Sequence, residues 1–269
     1  MRFKPLVLIY GAGETATAVA HRLFRSRLRV ILSAQDDPLT LLRGNAFSQA
    51  LFTNAFEVEG VTARKAVVTE ALSVIERGVI PLLTAESRSV LDVLNPDIVV
   101  DARPPDAAGS LTVGDASLVI GIGEGFCAGE DCDLVINTTP GHDMGRIIYK
   151  GPVPPPSEAL PEFRKTLIAS RGGLFIPRIR LGQKVDGGAP VASIGSEDIP
   201  AASSGIVSAI LHEGVEIPPG TPVAEVDSRG DENICYTISD AGRLLSGGVL
   251  ETAVAWVADV GGYQGPVAG

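Results

Sequence analysis

Apolar and polar positions follow two regimes along this chain. In the first, short wholly apolar runs are separated by stretches with helical spacing. Residues 5–10 (PLVLIY) predict a buried strand, a glycine turn follows, and 14–27 predict a helix. Residues 28–33 (LRVILS) predict a second strand, and 39–51, after Pro38, a second helix. Residues 55–68 read as two short strands turning at Gly60. Then come helix 69–77, strand 79–83, helix 86–94 and strand 97–101, followed by apolar runs at 117–122 and 133–138. Strands alternating with helices predict an α/β fold with a parallel, doubly wound sheet over 1–150.

The second regime starts after residues 151–161. That stretch holds Pro152, Pro154, Pro155, Pro156 and Pro161 and predicts a stiff linker between domains. From 162 to 230 apolar positions recur with period two between turn glycines. Residues 169–194 and 201–226 repeat one pattern 32 positions apart. Gly173, Gly182, Val185, Gly188, Pro190, Val191 and Ile194 answer Gly205, Gly214, Ile217, Gly220, Pro222, Val223 and Val226. Two related sets of short strands predict a small all-β barrel or sandwich. Residues 231–269 begin as strand or loop (ICYTI) and become a helix after Gly247-Gly248. Its apolar face, Leu250, Val254 and Val257, is expected to pack back on the first domain.

Composition narrows the function. The 269 residues carry a formal net charge of -10, and no basic stripe with interleaved aromatics is present, so a nucleic-acid partner is not expected. Three cysteines (Cys127, Cys132, Cys235) are too few for a disulfide framework. No apolar run reaches the ~20 residues that span a bilayer. The N-terminus lacks a secretory cleavage region. The expected location is the cytoplasm, away from the membrane.

Two glycine loops carry the candidate chemistry. Gly11, Ala12, Gly13, Glu14, Thr15 and Ala16 form G-x-G-x-x-A between a predicted strand and a predicted helix. The first glycine permits a tight turn and the second a close approach of phosphate to the backbone. The small third residue lets helix and strand pack, and the helix N-terminus favours an anion. This makes the first domain Rossmann-like. An acid that would hold a ribose is expected at the end of the second strand, where only Asp36 and Asp37 stand. The second loop, Gly121, Gly123 and Gly125, also follows a strand, and Asp101 and Arg103 end the preceding one. Arg103 is either an anion clamp or a surface partner of Asp97 or Asp101. Cys127 and Cys132 read as ordinary cysteines before a chalcogen-handling pair, and His142 as a loop histidine before a general base. No metal ligand set and no catalytic residue is assigned.

The repeat resembles the biotinyl/lipoyl carrier fold, but residues 195–200 (GSEDIP), between its halves, contain no lysine to modify. The blocks YGAGETATAVAHRLFRSRLRVIL, VDAR, LVIGIGEGFCAGEDCDLVINTTPGHDMGRIIYKG and CYTISDAGRLLSGGVLE are similar, in order, to blocks of the selenium-dependent molybdenum hydroxylase system family. Two departures bear on ligand binding: Ala34 stands where that family carries glutamate, and Pro104-Pro105-Asp106 where it carries lysine or arginine. The resemblance implies an accessory or maturation protein that binds a nucleotide-bearing ligand, with a molybdenum hydroxylase or its maturation proteins as partners. The residues leave open an NAD(P)-dependent oxidoreductase and a non-catalytic scaffold. The candidate cofactor is NAD(P) or another nucleotide-bearing ligand, and a homo-oligomer is a candidate state.

Overall fold

Val7 and Ile9 enter one buried cluster and Leu6, Leu8 and Tyr10 another, so the first strand is covered on both faces. That is why its run is apolar throughout rather than alternating. The computed structural model describes residues 4–35, 37, 39–84, 87–104, 111–155 and 163–260. In chain order the first part holds β1 (Leu6–Tyr10), α1 (Glu14–Arg25), β2 (Arg29–Ser33) and the single turn α2 (Ala50–Thr53). It continues with β3 (Ala55–Val58), β4 (Val61–Ala66), α3 (Ala71–Glu76), β5 (Ile80–Leu83), α4 (Ser87–Leu94) and β6 (Ile98–Asp101). Then come β7 (Leu118–Ile122), β8 (Cys127–Ala128), β9 (Leu134–Ile136), β10 (Ile147–Ile148) and β11 (Gly151–Pro152).

Nine of these strands form one sheet in the order β10-β9-β7-β6-β1-β2-β5-β4-β3. Neighbours from β9 to β4 run parallel, and β10 and β3 run antiparallel at the two margins. β8 and β11 pair separately. Gly60, at φ +77°, makes the turn between β3 and β4.

The second part holds β12 (Arg164–Ile168), β13 (Gly173–Pro177), β14 (Lys184–Val185), β15 (Pro190–Ile194) and β16 (Glu197–Pro200). After these come β17 (Gly205–Ile210), β18 (Glu216–Ile217), β19 (Pro222–Asp227) and α5 (Asp240–Val260). Its strands form two four-stranded sheets, β12-β19-β17-β14 and β16-β15-β13-β18. The repeat therefore exchanges its short strands. β14, of the first copy, joins the sheet of β17 and β19, and β18, of the second, joins that of β13 and β15. Phe175, Val191, Val207 and Val223 fill the space shared by the two sheets.

These findings correct the expected fold. The sheet is large and mixed: the strand pair expected at 55–68 forms its antiparallel β3–β4 margin, β10 adds a second antiparallel margin, and the whole is not the Rossmann-like doubly wound parallel sheet. Helices cover it sparsely. The β module is a pair of separate sheets, with no hydrogen-bonded closure into a biotinyl/lipoyl-like barrel among the described residues.

The clearest local error is the helix expected over 39–51. Its apolar residues serve two different surfaces, which one helix cannot face. Leu39 and Leu41 pack on the β module, while Phe47, Ala50 and Leu51 enter the core under α1. Between them Leu42 exchanges backbone hydrogen bonds with Ile210, at 2.8 and 3.2 Å. A Cβ on Gly44 would stand 2.5 Å from the Tyr236 ring.

α5 also departs from expectation. It starts at Asp240 and runs straight through Gly247-Gly248. Its buried face is Gly242, Leu245, Gly248, Val249 and Ala253, while Val254 is 55% exposed. Small residues are needed because the partners lie close. A Cβ on Gly242 would sit 2.9 Å from the Ala18 Cβ of α1, and one on Gly248 would collide with the Gly145 carbonyl. Of the expected linker, Pro156 and Pro161 lie outside the described residues, while Gly151–Pro152 forms β11.

Candidate functional site

The chain passes from β1 to β2 on one side of β1, and later from β6 to β7 on the other. Between β1 and β6 the loops at the strand ends diverge and leave a crevice, the usual place for a ligand in an open sheet of parallel strands. A cleft of about 440 Å³ lies there. Gly13, Glu14 and Thr15 line it from the start of α1, and Ala102, Arg103 and Pro104 from the end of β6. Ile122, Gly123 and Glu124 follow β7, Thr138 follows β9, and Arg43 comes from the segment after β2.

The α1 end is built by its sequence. Gly11, at φ +104°, turns the chain with its amide bonded to the Ser33 carbonyl at 2.8 Å. The buried Thr17 hydroxyl accepts from the Phe47 amide at 2.8 Å, and the Ala12 carbonyl accepts from the Ser48 amide at 2.8 Å. These bonds hold residues 47–48 behind the turn. Gly13 is the N-cap, extended, with no side chain capping the helix. A Cβ at Gly13 would meet nothing within 4 Å. The helix thus presents first-turn amides and the positive end of its dipole beside the cleft.

The charges around the cleft are largely paired. Arg103 is folded onto Asp101, its Nε donating to Oδ1 at 2.9 Å and its backbone amide to the same oxygen at 3.0 Å. Its guanidinium lies 4.8 Å from the centroid of the Tyr10 ring. The same construction recurs at Asp227 and Arg229, with Nε to Oδ1 at 3.0 Å and the guanidinium 5.4 Å from the Phe163 ring. Arg103 is therefore held mainly as a staple at a strand end, which is the second of its two sequence readings. Arg43 makes a two-point ion pair with Glu225 of β19, at 2.7 and 2.6 Å. Glu14 is bound by Arg164 of β12, at 2.7 and 3.3 Å. Burial raises the Glu14 carboxyl, but the hydrogen bond and charge of Arg164, with Ser239 and Arg43 behind them, outweigh it and leave the pKa low. The acid at the helix start is thereby neutralised by the β module.

The structure brings Gly13, Glu14, Thr15, Arg103 and Gly123 together at the cleft. Ala12, Ala16 and Asp101 are buried beneath it. Gly11 faces the Ala102 carbonyl, and Gly121 packs on Phe126, 2.5 Å from a Cβ placed there. Gly125, at φ +89°, shapes the loop without lining the cleft. Of the two acids expected at a ribose, Asp36 lies outside the described residues. Asp37 accepts from the Leu39 amide at 2.8 Å and is not part of the cleft. Pro105 and Asp106 also lie outside the described residues. Arg43, Glu124 and Thr138 are lining residues that the sequence did not mark, and no local signal announces them.

The remaining candidates fall elsewhere. Desolvation, then Glu130 and Asp131, raise the Cys127 thiol, and burial pushes Cys132 up to about 11. Neither is an activated thiolate. His142 is exposed, His21 reaches the Glu59 carbonyl at 3.3 Å, and His212 stacks on Phe52. Among the described residues no three His, Cys, Asp or Glu side chains gather as a metal site, and no helix is long and apolar enough to cross a membrane.

No family model matches the chain. It is 36% identical over 253 residues to YqeB of Escherichia coli (strain K12), an uncharacterized protein. The match covers 91% of this chain and 47% of YqeB, so the chain spans about half the length of the curated relative it matches. Among solved structures it is similar to the ectoine utilization protein EutE (DoeB) of Ruegeria pomeroyi, at 12% identity and TM-score 0.28, over 84% of this chain and 85% of that one. It is also similar to an aspartoacylase family protein of Mesorhizobium loti, at 15% identity and TM-score 0.26, over 84% and 86%. A succinylglutamate desuccinylase/aspartoacylase of Rhodobacter sphaeroides gives 16% identity and TM-score 0.27, over 83% and 86%. Likenesses at these TM-scores carry no argument about this chain's chemistry.

The comparisons give the family expectation no support: no family model matches, and the curated relative is uncharacterized. The solved structures named above are described as desuccinylase, aspartoacylase or ectoine-utilization proteins. None of the three is described as a protein of the selenium-dependent molybdenum hydroxylase system. The maturation role that rested on that resemblance is withdrawn, along with its selenium and molybdenum-cofactor associations. The oxidoreductase alternative is withdrawn with it.

Proposed function

We propose that the protein binds a small organic anion, with one carboxylate or phosphate group seated against the first turn of α1. The observation that carries this reading is Gly13: an uncapped helix start with open space beside it, on a cleft where the strand order reverses. The paired state of Glu14 supports it, because Arg164 removes the negative charge that would repel an anion there. The Thr15 and Thr138 hydroxyls and the Arg103 guanidinium are the further donors lining the cleft. Glu124, on the same wall, disfavours ligands with a second charge on that side. This reading keeps Gly13, Glu14, Thr15, Arg103 and Gly123 as ligand-facing residues. It assigns the protein to the cytoplasm, a reducing compartment to which its three free cysteines are suited.

A thermal-shift series with succinate, glutarate, inorganic phosphate and ribose 5-phosphate tests the proposal. At least one probe is expected to raise the Tm of the wild-type chain, and none to raise that of Gly13→Val. The variant fits without strain because Gly13 has φ -68° and open space beside it. Equal shifts in both proteins, or no shift at up to ~10 mM of any probe, overturn the reading.

A further inference from the structure

A second groove, of about 690 Å³, lies at the other end of α1, between α1, α5 and the turn from β9 to β10. Gly13 and Arg22 are separated by about 14 Å along the helix axis, so this groove is distinct from the cleft at the helix start. Three guanidiniums line it, Arg22, Arg146 and Arg243, against one carboxylate, Glu251. With Asp143 and Glu59 counted beside Glu251, three carboxylates face these three guanidiniums, so what singles the groove out is how its arginines are placed and not a net positive charge. Arg146 is paired with Asp143 at 3.1 Å and Arg243 with Glu59 at 2.8 Å. Arg22 is half-buried, and among the described residues it has no ion-pair partner. The walls also leave large apolar groups in solvent: Tyr149 is 70% exposed and Leu244 51%.

The floor gives an independent sign. Gly247 stands inside a 21-residue helix, where glycine costs about 1 kcal/mol relative to alanine. Close packing explains Gly248 but not Gly247, whose Cβ would meet only Arg22 Nη1, at 3.3 Å. The missing side chain keeps the floor open beside that guanidinium.

We propose that this groove is a ligand site for an aromatic dianion of the aryl phosphate class. The anionic group pairs with Arg22, flanked by Arg146 and Arg243, and the ring lies against Tyr149 and Leu244. A size of a few hundred Å³ and a polar end beside an apolar wall suit a small organic molecule. The simpler role for Arg22, with Arg25, is to offset the negative end of the α1 dipole, and that role requires no ligand.

Calorimetric titration with phenyl phosphate separates the two roles. It is done in the Gly13→Val background, so that the helix-start cleft contributes nothing. Saturable binding tighter than that of inorganic phosphate is expected. Adding Arg22→Gln is expected to weaken it about tenfold or more, the loss of one charge-assisted hydrogen bond, and Tyr149→Ala to erase the advantage over inorganic phosphate. No binding at up to ~10 mM, or equal affinity with and without Arg22→Gln, overturns the proposal. Circular dichroism checks that each variant is folded. The outcome does not depend on whether the α1 start binds an anion.

Discussion

Glu14, at the first position of α1, and Arg164, at the first position of β12, form a two-point ion pair between residues 150 positions apart. Arg164 also lies 3.5 Å from Asp227, which Arg229 holds in turn. The side chains are mostly shielded, with 30% and 17% exposure for Arg164 and Glu14. The β module is thereby tied to the helix end that borders the candidate cleft. In a double-mutant cycle with Glu14→Gln and Arg164→Gln, a coupling energy of about 1–3 kcal/mol is expected from urea unfolding. A coupling near zero would mean that the pair is held by its surroundings and contributes nothing.

The same network sets an acid limit. Glu14 and Asp227 both have pKa values below their ordinary 4.5 and 3.8; burial raises each, and arginine partners outweigh it. A carboxyl depressed in the folded state contributes stability that is complete above its unfolded pKa and is lost as pH falls through the folded one. Tm is therefore expected to hold down to about pH 4.5 and to fall below it. In Arg164→Gln the Glu14 part of that fall should shrink. Thermal melts between pH 3 and 7 read both.

How much of this was legible in the chain differs element by element. The strands at 5–10, 28–33, 79–83 and 97–101 announced themselves because each is apolar on both faces of a covered sheet. The turn at Gly11–Gly13 was legible from spacing, and so was the duplication in the β module. The partners of the cleft were not. Arg43 meets Glu225 across 182 positions, a distance on which local periodicity is silent. The segment 39–51 misled because its leucines divide between two cores. Gly247-Gly248 misled because a glycine pair usually ends a helix, whereas here close approach of the Gly145 carbonyl requires one of the two.

That pair makes a sharp contrast. Gly248→Ala puts a methyl group into the Gly145 carbonyl, and about 1–3 kcal/mol of destabilisation is expected. Gly247→Ala meets only a flexible arginine end and is expected to be neutral or to stabilise by up to ~1 kcal/mol. Chemical unfolding of both variants reads the difference in sign.

The thiols should differ in access. Cys127 is half-buried while Cys132 and Cys235 are buried with pKa values pushed up to about 11. Iodoacetamide at neutral pH is expected to label Cys127 alone in the folded protein, and slowly, because its own pKa is raised. Mass spectrometry of the labelled chain, native and in urea, shows which sulfurs react.

Anion binding at the start of α1 has its most immediate readout in the amides themselves. With 15N-labelled protein titrated with succinate and with inorganic phosphate, the backbone amides of Gly13, Glu14 and Thr15 are expected to shift together and to saturate. In Gly13→Val the amides of Glu14 and Thr15 should stay still. Stationary amides in the wild-type chain at up to ~10 mM of either anion, or shifts confined to other regions, would contradict a ligand site there.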